Sequence, residues 1–206
     1  MKVSLINPEK EFLPPFGILY LASVLEKRSD EVKVIEFLNT KINKNNIKKN
    51  SILFKESLDY SPDIIGITCM SSQVSNVKKL IKLYKEKVPH IPIIVGGPHP
   101  TAVQQELLDI GADFAVLGEG EETLPELIDA IKYPKELESI KGIAFKKNKE
   151  LIITKPRQFP ENLDNIPFPA YHLIDYNSYI NMKFFGIRGL WIKCGRILTS
   201  RGCPGI

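Results

Sequence analysis

Apolar residues come in short runs rich in β-branched side chains, each followed by a longer stretch whose apolar positions recur every three or four residues. Val3, Leu5 and Ile6 make the first run, and Ile18, Leu21, Val24 and Leu25 the first helical stripe. Val32, Val34 and Ile35 make the second. Residues 63–68 are the third, and the helix after them carries Val74, Val77, Leu80, Ile81, Tyr84 and Val88 before stopping at Pro89. Residues 91–95 and 114–117 are the fourth and fifth runs. Helices follow over about 101–108 and through Leu124, Leu127, Ile128 and Ile131. Continuous apolar runs read as strands buried on both faces, the parallel-sheet pattern. Five β-α units with right-handed crossovers predict an α/β, doubly wound, flavodoxin-like sheet of five parallel strands, order 2-1-3-4-5. Residues 41–59, polar with Ile47, Ile52, Leu53 and Leu58 as sparse anchors, read as an irregular, partly helical crossover.

The pattern changes near residue 135. Two short apolar runs, 142–145 and 151–154, flank Lys147-Asn148-Lys149 and predict a hairpin. Pro156, Pro160, Pro167 and Pro169 then favour an extended linker. Residues 171–180 read as a short helix or docking segment, and 192–200 as a new strand. The chain thus divides into a ligand-binding unit over 1–135, a hairpin and linker over 136–185, and the beginning of a further unit over 186–206.

Composition narrows the class only slightly. Of 206 residues, 43% are hydrophobic and 25% charged, as in ordinary globular proteins. The net charge of +4 is mild, and the lysines at 41–49 and 78–87 read as solvated helix faces rather than a nucleic-acid footprint. No apolar run approaches the ~18 residues of a membrane span. The first residues run straight into a strand without a signal-peptide layout. Three scattered cysteines, Cys69, Cys194 and Cys203, make no disulfide framework. These features point to a cytoplasmic protein with reduced thiols, with neither nucleic acid nor membrane as partner.

Candidate chemistry gathers where strands four and five end. Gly96-Gly97-Pro98-His99-Pro100-Thr101 and Gly118-Glu119-Gly120-Glu121 each terminate an apolar run and open a helix. Glycine there permits a tight turn and close approach of backbone to ligand, and open parallel sheets bind ligands outside the carboxyl ends of their strands. Each loop taken alone is equally a simple turn. The two carboxylates either complement a helix dipole or accept from ribose or amide donors; they argue against a phosphate. The loop after strand one, with Phe12, Pro14, Pro15, Phe16 and Gly17, is too bulky for a flavin-type phosphate site. Its rigid apolar surface suits a large planar ligand, contact with a second domain, or local packing. Asn7 and Thr68 stand where a phosphoryl receiver needs acids, and no Gly-x-Gly-x-x-Gly follows strand one. Of the three histidines, only His99 lies near this edge. Cys69 and Cys194 read as buried small hydrophobes.

Taken together, residues 94–101, 116–123, the linker 162–171 and Thr199-Ser200-Arg201-Gly202-Cys203-Pro204 resemble the N-terminal part of cobalamin-dependent radical S-adenosylmethionine enzymes. In that family three cysteines spaced Cys-x3-Cys-x2-Cys hold a [4Fe–4S] cluster. Cys203 matches the first, and the sequence ends at Ile206, one residue before the second would fall. The resemblance therefore implies a cobalamin-binding module followed by a stub of the radical domain, which would act in cis. In a full-length form the cluster and S-adenosylmethionine would join cobalamin, for methyl transfer or a cyclisation. The Asp-x-His-x-x-Gly motif of methionine-synthase-type modules is absent after strand one. The resemblance thus implies base-off cobalamin without a histidine ligand. Met70, Ser71, Ser72 and Gln73 would face the lower side of the corrin, with Thr68 nearby. Pro14, Pro15, Phe16 and Gly17 would pack on the ring edge, while residues 96–101 with Glu119 and Glu121 would receive its tail and amides. The competing readings are an interaction domain of the same fold that has lost its cofactor and, less well matched for want of a phosphate loop, a small-nucleotide enzyme.

Overall fold

Five strands, β1 (Lys2–Asn7), β2 (Glu31–Glu36), β3 (Ile64–Thr68), β4 (Ile93–Gly96) and β5 (Phe114–Val116), pair in parallel in the order β2-β1-β3-β4-β5. The expected strand order is therefore observed. The computed structural model describes residues 1–39, 46–133, 136–160, 162–180, 186–187, 190–191 and 195–202. The parallel sheet is buried on both faces because successive side chains alternate between two apolar clusters. Ile64 and Ile94 join α1 (Phe16–Lys27) and α6 (Thr123–Lys132) in one cluster. Ile65, Ile67, Ile93 and Val95 join α3 (Val74–Lys87) and α5 (Gln104–Ile110) in the other. Ile64, Ile65 and Ile93 are fully buried, each contributing roughly 1.5–3 kcal/mol.

Four expectations are revised. Residues 46–59 form a regular helix, α2 (Asn46–Asp59), not an irregular crossover. Leu53, Phe54 and Leu58 pack on the α3-side cluster, and the Ser57 hydroxyl meets that of Tyr84 at 2.7 Å. Ile47 and Ile52, taken as anchors, are exposed. The helix expected over 101–108 is two, α4 (Pro98–Ala102) and α5, broken at Val103, whose backbone leaves the helical region (φ −132°, ψ 81°). The hairpin, β6 (Ile143–Lys147) and β7 (Glu150–Ile153), docks antiparallel on β5 and extends the sheet to seven strands. Phe114 pairs with Phe145 and Ala115 with Ala144, so the backbone of β6 takes up the hydrogen-bonding groups of what would otherwise be an open edge. Asn148 and Lys149, both at positive φ, close the turn.

The fourth revision concerns the end of the chain. The linker returns to the domain: Ala170 N–H donates to Leu19 O at 3.0 Å, and the buried Tyr179 of α7 (Tyr176–Ile180) donates to Glu36. Two-residue strands β8 (Gly186–Ile187) and β9 (Leu190–Trp191) pair with each other. Residues 195–200, expected to be strand, are not. The backbone of Arg196 bonds instead to tyrosine hydroxyls, its N–H to Tyr176 at 3.0 Å and its carbonyl to Tyr171 at 3.3 Å. The rest of that expected strand, 192–194, lies outside the described residues, as do Cys194 and Cys203. Among the described residues no helix is long and apolar enough to cross a membrane.

Candidate ligand-binding site

The carboxyl ends of β1, β3, β4 and β5 open onto two joined cavities. The inner one, about 130 Å³, is a slot between the sheet and the α1–α6 layer. Leu5, Ile94 and Val116 line its sheet side, Gly17, Ile18 and Leu21 one wall, and Gly118–Glu121 with Leu124 the other. Gly66, inside β3, lies on its floor. A Cβ there would come within 2.8 Å of Leu5 Cδ2, so the floor tolerates only glycine without repacking. The outer cavity, about 270 Å³, runs along the loop after β1, with Leu13, Pro14, Pro15 and Phe16 on one side and Thr68, Met70, Gly97 and Pro98 on the other. Gly17, Ile18, Thr68 and Gly97 belong to both.

The β4–α4 loop is held by its own hydrogen bonds. Gly97 has φ +101°, a region L side chains rarely adopt, and a Cβ there would stand 3.1 Å from Thr68 Oγ1 and Cys69 O. Thr101 Oγ1 donates to Gly97 O at 2.9 Å and accepts from Gly118 N–H at 3.0 Å, tying the two glycine loops together. His99 is buried, with Nδ1 3.3 Å from Ser71 Oγ and Nε2 2.9 Å from Glu106 Oε2. Lys78 pairs with the other Glu106 oxygen at 2.7 Å, and its hydrogen bond, followed by that of His99, outweighs desolvation and lowers the Glu106 pKa. Burial, with the Glu106 charge adding, pushes the Cys69 thiol up to about 12, so Cys69 is the inert apolar residue its position suggested.

The β5–α6 loop is different. Glu121 is 7% exposed; one of its oxygens accepts from Arg201, and the other, Oε2, is buried without a partner. Glu119 also accepts from Arg201, at 3.0 Å. Burial, then the neighbouring Glu121 charge, raises the Glu119 carboxyl above its usual range despite that arginine.

Of the residues singled out from sequence, Pro14, Pro15, Phe16, Gly17, Thr68, Met70, Gly96, Gly97, Pro98, Gly118, Glu119, Gly120 and Glu121 line one cavity or both. Ser71, Ser72, His99, Pro100 and Thr101 line neither: the two serines are exposed beside Met70, Pro100 is buried, His99 is turned into the protein, and the exposed Thr101 spends its hydroxyl on Gly97 and Gly118. Sequence reasoning passes over Gly66, Leu21 and Arg201. A glycine inside a strand run signals close approach and marks Gly66; no local signal marks Arg201 as a partner of Glu119. Among the described residues no cluster of His, Cys, Asp and Glu has metal-site composition.

Comparison with known proteins gives the family. The profile of the B12-binding domain family matches residues 5–128, more than half of the chain. An uncharacterized methyltransferase of Pyrococcus horikoshii is 32% identical over 99% of the chain and 44% of its own length. The cytidylyl-2-hydroxyethylphosphonate methyltransferase of Streptomyces wedmorensis is 28% identical over 98% of the chain and 46% of its own. The chain thus spans less than half the length of these relatives. The radical S-adenosylmethionine methyltransferase TsrM from Kitasatospora setae, solved with cobalamin and a [4Fe–4S] cluster, shares the fold at a TM-score of 0.63 and 22% identity, covering 75% of this chain and 30% of that one. The matched span begins at Leu5 on the floor of the slot and ends at Ile128 in α6, so it contains both glycine loops, and the chain belongs to the B12-binding domain family.

Proposed function

We propose that the chain is the cobalamin-holding module of a cobalamin-dependent radical S-adenosylmethionine enzyme, with methyl transfer as the reaction class, and that it holds cobalamin base-off without a histidine on cobalt. The observation that carries this reading is the shape of the joined cavities. A cavity of about 150 Å³ holds a benzene ring, so the inner slot, about 130 Å³ and walled by Leu5, Ile18, Leu21, Ile94 and Leu124, is sized for the leading ring of a flat heterocycle such as the nucleotide base of the tail, and the whole base would enter by parting the walls. The wider outer cavity, stiffened by Pro14, Pro15 and Pro98, offers an apolar edge to a macrocycle. Glu121 lines the slot and its buried Oε2 has no partner, so a turn of the carboxylate toward the slot would let it accept from the tail's ribose or the corrin amides.

The histidines support binding without a histidine on cobalt. His99 has both ring nitrogens engaged, so ligation would require turning a buried ring outward. His90 precedes β4, at the opposite end of the sheet from the cavities, and His172 is paired with Glu26. Exposed Ser71 and Ser72, beside Met70, leave weak donors at that edge. Bound cobalamin supplies a cobalt that accepts and gives up a methyl group, and the chain binds it, shields it and limits its ligands. Cys203 would begin the cluster motif of the radical domain.

Mixing the purified chain with hydroxocobalamin, desalting, reducing to the cobalt(II) state and recording visible and paramagnetic resonance spectra tests both parts. Retained corrin absorbance with no nitrogen splitting on the cobalt(II) signal, from histidine or from the nucleotide base, is the expected result. Splitting traced to a protein histidine would refute the histidine-free assignment, splitting from the cofactor's own nucleotide base would refute the base-off assignment, and no retention by a folded chain would refute cobalamin binding.

A further inference from the structure

Arg201 joins the two elements that wall the slot, α1 and the β5–α6 loop. Its guanidinium carbon lies 4.3 Å from the centre of the Tyr20 ring, and its Nη1 donates to Glu119 Oε2 at 3.0 Å and to Glu121 Oε1 at 2.5 Å. Tyr20 belongs to α1, one wall of the slot, and the two glutamates to the loop that forms the other. At the far end the same helices are joined by Arg28, at the end of α1, which pairs with Asp129 of α6 at 2.6 Å. Each end of the α1–α6 layer is thus closed by an arginine. Arg28 lies within the layer; Arg201 reaches it from an arm 80 residues beyond Glu121.

Most surface ion pairs contribute little because water screens them. This one is enclosed: the Arg201 side chain is 17% exposed and that of Glu121 7%. Removing one partner leaves the other charge buried and uncompensated. The planar fork of arginine can meet carboxylates at its edge while its face lies on an aromatic ring, which an ammonium cannot reproduce.

We propose that Arg201 is a positioning residue that clasps the arm ahead of Cys203 to the mouth of the slot, holds α1 against the β5–α6 loop, and slows the escape of the slot's occupant. The clasp couples the arm to the ligand edge: an occupant that fills the slot braces both walls against Arg201, and an intact clasp retains the occupant. Naming that occupant as cobalamin rests on the function proposed above; the clasp itself does not.

The test uses the bond between Arg201 and Gly202, a tryptic site. Cleavage there, read by mass as loss of the five residues beyond it, is timed without cobalamin in the wild-type chain, in the double variant Glu119→Gln/Glu121→Gln, in Arg201→Lys, which retains a tryptic site, and in Lys147→Gln as a control. Release of bound hydroxocobalamin is timed in the same four proteins, each checked for folding by circular dichroism. Both rates are expected to rise about tenfold in the double variant and in Arg201→Lys, and to stay at the wild-type value in Lys147→Gln. Equal cleavage rates in all four proteins would overturn the clasp, as would faster cleavage with unchanged cobalamin release. If the wild-type chain retains no cobalamin, the ligand assignment fails and the cleavage rates alone decide the clasp.

Discussion

The two glycine loops at the ligand edge look alike in sequence and are built on opposite plans. In the β4–α4 loop the polar side chains at 99 and 101 bond to the protein: His99 faces Ser71 and Glu106, and Thr101 joins Gly97 to Gly118. In the β5–α6 loop two carboxylates lean toward the cavity, share one arginine from a distant segment, and leave one oxygen without a partner. The first loop is a rigid part of the scaffold that sets shape. The second has bonding capacity left over, which is what a ligand or a neighbouring segment uses. Burying a polar group is tolerable only when it is paired, so an unpaired acceptor at a cavity is the more informative of the two.

Substitutions in the first loop should therefore strike stability, and those in the second should strike binding. The largest stability loss is expected from Gly97→Ala, which forces a Cβ onto φ +101° within 3.1 Å of Thr68 Oγ1 and Cys69 O; strained backbone of this kind costs roughly 1–3 kcal/mol, and denaturant titration reads it. His99→Ala should follow with a loss of about 1–3 kcal/mol, because Ser71 and Glu106 lose their shared partner and a buried ring leaves a void. Glu119→Gln, in the second loop, should change the denaturation midpoint least, with a loss below about 1 kcal/mol, because the Glu119 side chain is 32% exposed, its charge is already disfavoured by burial, and Glu121 still holds Arg201. A larger loss there than at Gly97 would erase the distinction between the loops.

The smallest effect, and the sharpest contrast, is the pH response. The Glu106 carboxyl is held below its usual range, chiefly by the hydrogen bond from Lys78, so its contribution is present above the unfolded pKa and is lost as pH falls through the lowered folded value. The Glu119 carboxyl is raised, chiefly by burial, so its contribution is present below the unfolded pKa and is lost as pH rises through the raised folded value. Carboxyl resonances followed by nuclear magnetic resonance should titrate on opposite sides of the ordinary glutamate midpoint. Coincident midpoints would show that both sites are solvated alike.

Several features of the site were legible without coordinates. The strand order and the positions of both glycine loops follow from local pattern, because period and turn chemistry belong to neighbouring residues. Helix α2 is only partly legible in sequence: Leu53 and Leu58 face the core with Phe54 and Ser57, Ile47 and Ile52 do not, and a lysine-rich helix with few apolar residues has a weak stripe. The strand expected at 195–200 failed for a related reason: a strand needs a partner, and the Arg196 backbone finds tyrosine hydroxyls.

The sequence by itself determined where the chain turns at the carboxyl edge, that this edge offers glycine, proline and aromatic surface to a ligand, and that no histidine motif follows β1. Only the tertiary structure decided what the polar groups there do. It turned His99 inward, docked the hairpin on β5, opened a slot over Gly66, and set Arg201 on Glu119 and Glu121. Turn and strand preferences are decided within a few residues, whereas the pairing of a buried charge depends on a partner 80 or more residues away, whose approach only the packed fold specifies.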